Sequence, residues 1–222
     1  MALDPSELIT HTLLRITGAE ALITDARPFP AWAVQAARHA PWVVVRRVPA
    51  WNSRIAVGLR GELRSQRLAT WLPPSAIIEC VTPRQLATME TWKDSPCRRH
   101  VPALQMLDRV APIMRDHGLE HQWGPTGSVG FELASGVSTA TLLSDLDLAL
   151  HLEKPWPAAD AQSLHSELAT LPVRIDLLVE MPHGAVALSE YATAQGAFIL
   201  RTTRGPRLVG DPWSDAETRA AA

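Results

Sequence analysis

From Asp145 to Leu150 the chain reads Asp-Leu-Asp-Leu-Ala-Leu, the two-residue period of a strand with one buried face. The pattern predicts a strand over 145–152 and another over 173–180, where Arg-Ile-Asp-Leu-Leu-Val is mostly apolar. Residues 42–48 (WVVVRRV) are β-branched, the turn-prone PAWNS follows, and Ile55–Arg60 resumes the strand pattern, so a hairpin is expected. Ile77–Val81, 122–125, 198–201 and 207–209 read as shorter extended pieces. Leu104, Leu107, Val110, Ile113 and Met114 follow helical spacing, which predicts a helix over 102–117 with Gly118 just past its end. Helices are also expected over 158–170 and 185–193, and behind Thr82 as N-cap with Pro83 in the first turn. Leu63, Leu68, Trp71 and Leu72 suggest one more helix within 61–73, closed by Pro73.

The stretch 90–101 is polar, charged and proline-containing, with no apolar period. A boundary is expected there, between an N-terminal α+β domain over 1–92 and a second domain over 93–222. The order of elements is mixed α and β with short strands, so the fold class is α/β (α+β). At 222 residues, with 46% hydrophobic and 20% charged residues, the chain can bury a core without disulfides, and a disordered or fibrous protein is excluded. Cys80 and Cys97 sit in no metal-ligand spacing and are read as incidental. A net charge of -2 excludes a protein that grips nucleic acid by bulk charge. Apolar runs such as 40–45 are far below the ~20 residues that cross a bilayer. The opening MALDPSELITH lacks the pattern of an export signal, so a cytoplasmic protein with no membrane partner is expected. Lys93 and Lys154 are the only lysines among 21 cationic residues; the arginines suit bidentate contacts to phosphate or carboxylate.

Candidate chemistry centres on three acids. On a strand, Asp145 and Asp147 project together while Leu146 and Leu148 point to the buried face. Two carboxylates held side by side repel each other unless a cation lies between them, as Mg²⁺ bound to substrate phosphates would. Asp176, within an apolar strand, would need a partner of its own. If its strand lies beside the first, the three form a ligand set for two divalent ions. Upstream, Gly124-Pro-Thr-Gly127-Ser128-Val-Gly130 offers a backbone that phosphate oxygens can approach, with a helix starting near Ser128. It lacks the Lys-Ser/Thr ending of a Walker A loop and the first glycine of a hydrolase elbow.

Gly-Ser, then Ser-Asp-Leu-Asp-Leu, then Ile-Asp-Leu-Leu-Val resembles the nucleotidyltransferase superfamily of DNA polymerase β type, although 16 residues separate Ser128 from Asp145, more than is usual there. WGPTGSVGFELASGVSTATLLSDLDLAL, together with WVVVRR, VGLRG, RxxRxATWLP, VTPRQL and RTTRGPRLVGDPW, resembles the MdcG family across most of the chain. That family comprises malonate decarboxylase holo-[acyl-carrier-protein] synthases, or phosphoribosyl-dephospho-CoA transferases. The resemblance implies that a serine of the apo acyl carrier protein attacks the α-phosphorus of 2'-(5''-triphosphoribosyl)-3'-dephospho-CoA, and diphosphate leaves. Asp145, Asp147 and Asp176 would then be the catalytic metal ligands, holding Mg²⁺ as two ions. Gly127 and Ser128 would hold the diphosphate end of the substrate.

Arg60, Arg64 and Arg67 would form one basic stripe on a helix, and Arg64 and Arg67 are the candidates for docking an acidic carrier protein. Of Arg46 and Arg47, on alternate faces, at most one is expected to point at a shared cleft. His117-Gly-Leu-Glu-His121 matches an inverted zinc-protease pattern, but Gly118 beside a helix end argues against a shared metal. Two other functions stay open: a general nucleotidyltransferase using an ordinary NTP, and a catalytically silent binding module of that fold.

Overall fold

The computed structural model describes residues 8–24, 28–63, 65–194 and 196–214. Its fold is mixed α and β, as expected, and is organised by two sheets. The first contains β1 (Leu13–Ile16), β2 (Trp42–Val45), β3 (Ile55–Arg60), β4 (Arg67–Leu72) and β5 (Ile77–Val81), antiparallel throughout in the order β4-β3-β2-β1-β5. Alternation sorts its side chains. Leu14, Val43, Val57 and Leu59 pack with Ala33 and Ala37 of α1 (Ala31–His39), while Leu13 and Trp42 leave by the other face.

The helix expected within 61–73 does not form. Gly61 N–H donates to the Gln66 carbonyl at 2.8 Å, closing a hairpin, and Arg67–Leu72 pairs residue for residue with β3. Leu68, Thr70 and Leu72 are buried, so the period is two. Pairing along the whole of β3 satisfies the backbone, and the same core receives Leu68 and Leu72. The segments β1 and α1, which carry no strong period, complete this half of the fold.

The second sheet contains β6 (Trp123–Pro125), β7 (Leu146–His151), β8 (Ile175–Met181), β9 (Gly184–Ala187), β10 (Phe198–Thr202) and β11 (Gly205–Val209), in the order β11-β10-β9-β8-β7-β6. Only β7 and β8 pair in parallel, and the crossover between them carries α5 (Ala158–Leu168). Leu146, Leu148 and Leu150 are buried against the apolar face of α3 (Pro102–Asp116), with Leu104, Leu107 and Val110, and against Leu164 of α5. The helix expected over 185–193 is shorter, α6 (Leu188–Thr193), because 184–187 pairs with β8 as β9.

The two halves are in close contact. Thr82 and Gln85 form a reciprocal capping box at the start of α2 (Pro83–Thr88), which lies against β6. A Cβ at Gly124 would stand 1.8 Å from the Pro83 carbonyl oxygen, so only glycine lets the two elements approach. Within 90–101, Trp92 is fully buried and stacks at a tilt on Trp123. Leu13 and Trp42 of the first sheet meet Phe131 of α4 (Gly127–Ser135), which seats that sheet beside the second. Among the described residues no helix is long and apolar enough to cross a membrane.

Candidate functional site

The parallel register of β7 and β8 sets Asp147 opposite Asp176, and Asp145 immediately precedes β7. Leu146 and Leu148 fill the core on the other face, so alternation turns the acids away from it. The carboxyl of Asp147 is pushed above the usual carboxylate range, by burial first and then by the negative charges of Asp176 and Asp145; His11 and Arg60 oppose the shift.

Asp176 differs from the sequence expectation of a buried acid in need of a partner. Its side chain is 44% exposed and accepts a hydrogen bond from Arg174 Nε at 3.1 Å. Among the described residues, no three His, Cys, Asp or Glu side chains are gathered closely enough to hold a metal ion as they stand. The set nevertheless fits a hard divalent cation in kind, because its donors are carboxylate oxygens on paired strands whose mutual repulsion raises Asp147.

Beside the acids lies the glycine-rich turn. Thr126 N–H donates to the Asp147 carbonyl at 2.8 Å, which fastens the turn to β7. Gly127 then adopts φ 59°, and a Cβ there would fall 1.9 Å from Asp147 Oδ2. Both facts require glycine. Helix α4 starts at this point, and the Thr126 side chain makes no capping hydrogen bond, so its first N–H groups are not claimed by a side-chain cap. The long segment between Ser128 and Asp145 is tied back onto α4. Buried Glu132 accepts through Oε2 from the N–H groups of Thr139 and Ala140, both at 2.9 Å, and Thr139 Oγ1 donates to the Ser128 carbonyl at 2.9 Å.

Gly127, Ser128, Asp145, Asp147 and Asp176 line one side of a cleft of about 1260 Å³, and Leu13, Val44, Arg60 and Arg67 of the first sheet line the other. The cleft is bridged at Glu180. This buried residue lies four positions after Asp176 on β8, and therefore on the same face. Arg47 donates to its two oxygens at 2.6 and 2.5 Å, and His11 Nε2 lies 3.1 Å from Oε1. Burial pushes the Glu180 carboxyl up, but hydrogen bonds from His11 and Arg47, with their charges, bring it down to about 2. His151, paired across the strands with Glu180, is held neutral: burial lowers it to about 4 against the pull of Glu180.

His11, Arg47 and Glu180 join segments up to 169 residues apart; sequence reasoning assigned neither His11 nor Glu180 to the site, and expected at most one of Arg46 and Arg47 at a shared cleft. Arg47 is the arginine of the 46–47 pair that reaches the second sheet. A glutamate inside Leu-Leu-Val-Glu-Met was the available signal, since such a carboxylate needs partners when buried. The arginine stripe fares differently. Arg60 ends β3, Arg67 begins β4, and Arg64 lies outside the described residues, so no helix presents them together. His117 pairs with Glu167 at 3.1 Å and His121 with Glu120 at 3.1 Å, each histidine with a different acid.

Comparison with known proteins places these features in context. Residues 10–83 match the family profile described as the phosphoribosyl-dephospho-CoA transferase MdcG N-terminal domain, and residues 86–212 match that of its C-terminal domain. A phosphoribosyl-dephospho-CoA transferase of Pseudomonas putida strain GB-1 is 41% identical over 211 residues, covering 95% of this chain and 97% of the relative. The Pseudomonas aeruginosa protein of that name is 42% identical over 86% of this chain and 88% of its own. The Klebsiella pneumoniae protein is 36% identical over 93% and 97%. No solved structure matches the chain.

Proposed function

We propose, from the premise that this chain belongs to the MdcG family of phosphoribosyl-dephospho-CoA transferases, that its cleft transfers a dephospho-CoA prosthetic group onto a carrier protein. The chain is a transferase of phosphoribosyl-dephospho-CoA. In finer terms, the acceptor is a serine of the apo acyl carrier protein subunit of malonate decarboxylase. The donor is 2'-(5''-triphosphoribosyl)-3'-dephospho-CoA, and the product of displacement at its α-phosphorus is diphosphate. The reaction runs in the cytoplasm.

One observation carries this reading: Asp147 stands in register with Asp176 and is packed directly against the Gly127 backbone, so acids and turn face one cleft. Phosphoryl transfer needs little covalent help from the protein. It needs the attacking and leaving oxygens held in line and the developing charge balanced. Gly127 and Ser128 receive the diphosphate end, through backbone N–H groups and the serine hydroxyl. Asp145, Asp147 and Asp176 are the residues that would hold divalent cations, with Asp176 released from Arg174. When bound, Mg²⁺ would supply charge neutralisation at the phosphates and would lower the pKa of the attacking hydroxyl. Asp147 holds a proton more readily because of burial first and then the charges of Asp176 and Asp145, and a cation would offset that second part. On this reading the chain works as a nucleotidyltransferase of DNA polymerase β type.

The test is intact-mass spectrometry of apo carrier protein after incubation with the enzyme, Mg²⁺ and either the triphosphoribosyl precursor or ATP. A mass gain with the precursor alone is expected. A gain with ATP alone would replace this reading with that of a general nucleotidyltransferase.

A further inference from the structure

Strands β3 and β4 end their pairing with arginine directly opposite arginine. Arg60 and Arg67 are register partners, so both side chains leave the same face of the sheet. Two like charges in that relation repel each other. Their face is not the one that packs on α1: Leu59 and Leu68, their chain neighbours, belong to that core. It is the face that forms the wall of the cleft, across from Gly127 and Ser128. Glu62 adds a single negative charge to the same wall, less than the two arginines carry. On the facing wall, Asp147 experiences the charge of Arg60.

We propose that Arg60 and Arg67 form an anion subsite for the phosphate chain of the donor, so that the first sheet supplies half of the donor site. The inference rests on the transferase reading and adds a residue-level assignment to it. It also moves Arg67 from carrier-protein docking to the phosphate site. A guanidinium offers paired donors in a plane that matches phosphate oxygens, and two of them bracket a chain carrying several negative charges. Donor phosphates entering between this wall and the Gly127 turn are met by cationic groups on one side and backbone N–H groups on the other. The bridge from Arg47 and His11 to Glu180 fixes the first sheet over the second, which keeps the arginines facing the turn.

The experiment measures binding of inorganic tripolyphosphate by calorimetry to wild type, Arg60→Gln, Arg67→Gln, the double variant and Arg67→Lys. Steady-state KM values for donor and for carrier protein are measured alongside. A Kd at least tenfold weaker in the double variant is expected, with a matching rise in donor KM and an unchanged carrier KM. Arg67→Lys should recover part of the loss. A purely structural role would raise donor and carrier KM together, which would also overturn the proposal. The proposal is overturned if the double variant binds tripolyphosphate as wild type does, or if carrier KM alone rises, which would return these residues to carrier docking. Wild type that transfers the group but does not bind tripolyphosphate overturns the subsite and leaves the transferase reading standing. Failure of that reading shows separately, as carrier protein with no mass gain.

Discussion

Replacing Glu180 by Gln keeps the shape of the side chain and removes the charge on which Arg47 and His11 converge. The carboxyl has its pKa lowered from 4.5 to about 2; at ~1.4 kcal/mol per pKa unit, its ionised form contributes roughly 3 kcal/mol to the folded state. With 7% of the side chain exposed, solvent screening removes little of that. The folded pKa is depressed, so this contribution is complete above the unfolded value of 4.5 and is lost as pH falls from there toward 2. Urea denaturation followed by tryptophan fluorescence at pH 7, 5, 4 and 3 tests this. The variant should be less stable by roughly 3 kcal/mol at pH 7 and pH 5, with the gap closing at pH 4 and below. His151, whose pKa burial depresses from 6.5 to about 4, accounts for a separate loss as pH falls from 6.5 toward 4, present in both proteins and extending lower in the variant, which lacks the pull of Glu180. Because the lost bridge joins the two walls of the cleft, donor KM should also rise. A gap below ~0.5 kcal/mol at pH 7, or one that stays constant down to pH 3, would refute the assignment of Glu180 as a bridge between charged partners.

Substitutions at three further residues bear on the site. Asp147→Asn should reduce turnover by several orders of magnitude, since it removes charge from the centre of the acid set. The same change should raise the thermal midpoint at pH 7, because a carboxyl with a raised pKa opposes folding once ionised; activity assays and calorimetry on one preparation check both. Gly127→Ala places a Cβ where 1.9 Å separates it from Asp147 Oδ2, at a φ that costs a non-glycine residue ~1–2 kcal/mol, so both activity and stability should fall in kinetic and melting measurements. Glu132→Ala releases the 136–145 loop from α4 and should lower kcat, whereas Glu132→Gln, which keeps an acceptor for Thr139 and Ala140, should restore most of it in the same assay.

The acid pair and its core were legible because Asp-Leu-Asp-Leu encodes two faces in four residues, and both leucines are fully or almost fully buried. The α3 stripe was legible for the same reason at a different period. The 61–73 segment was misread because Leu68 and Trp71 lie one helical turn apart, although burial of Leu68, Thr70 and Leu72 follows a period of two. What separates these cases is partnership: α3 is specified by its own stripe, whereas β4 is specified by register with β3. The bridge at Glu180 was illegible for a stronger form of that reason. His11 precedes β1, Arg47 follows β2, and no local period connects either to a strand near residue 180. The Gly127 turn lay between these extremes. Its glycines announced close backbone approach, but not that the approaching group is Asp147 itself.

Displacement of diphosphate by a carrier-protein serine, in the cleft that Asp147 lines, would yield both products together. It is tested most directly by quantifying diphosphate and modified carrier protein from one reaction, with wild type and Asp147→Asn side by side. One diphosphate per modified serine is expected in wild type, and neither product above background in the variant. Modified carrier protein without diphosphate, or equal yields from the two enzymes, would contradict it.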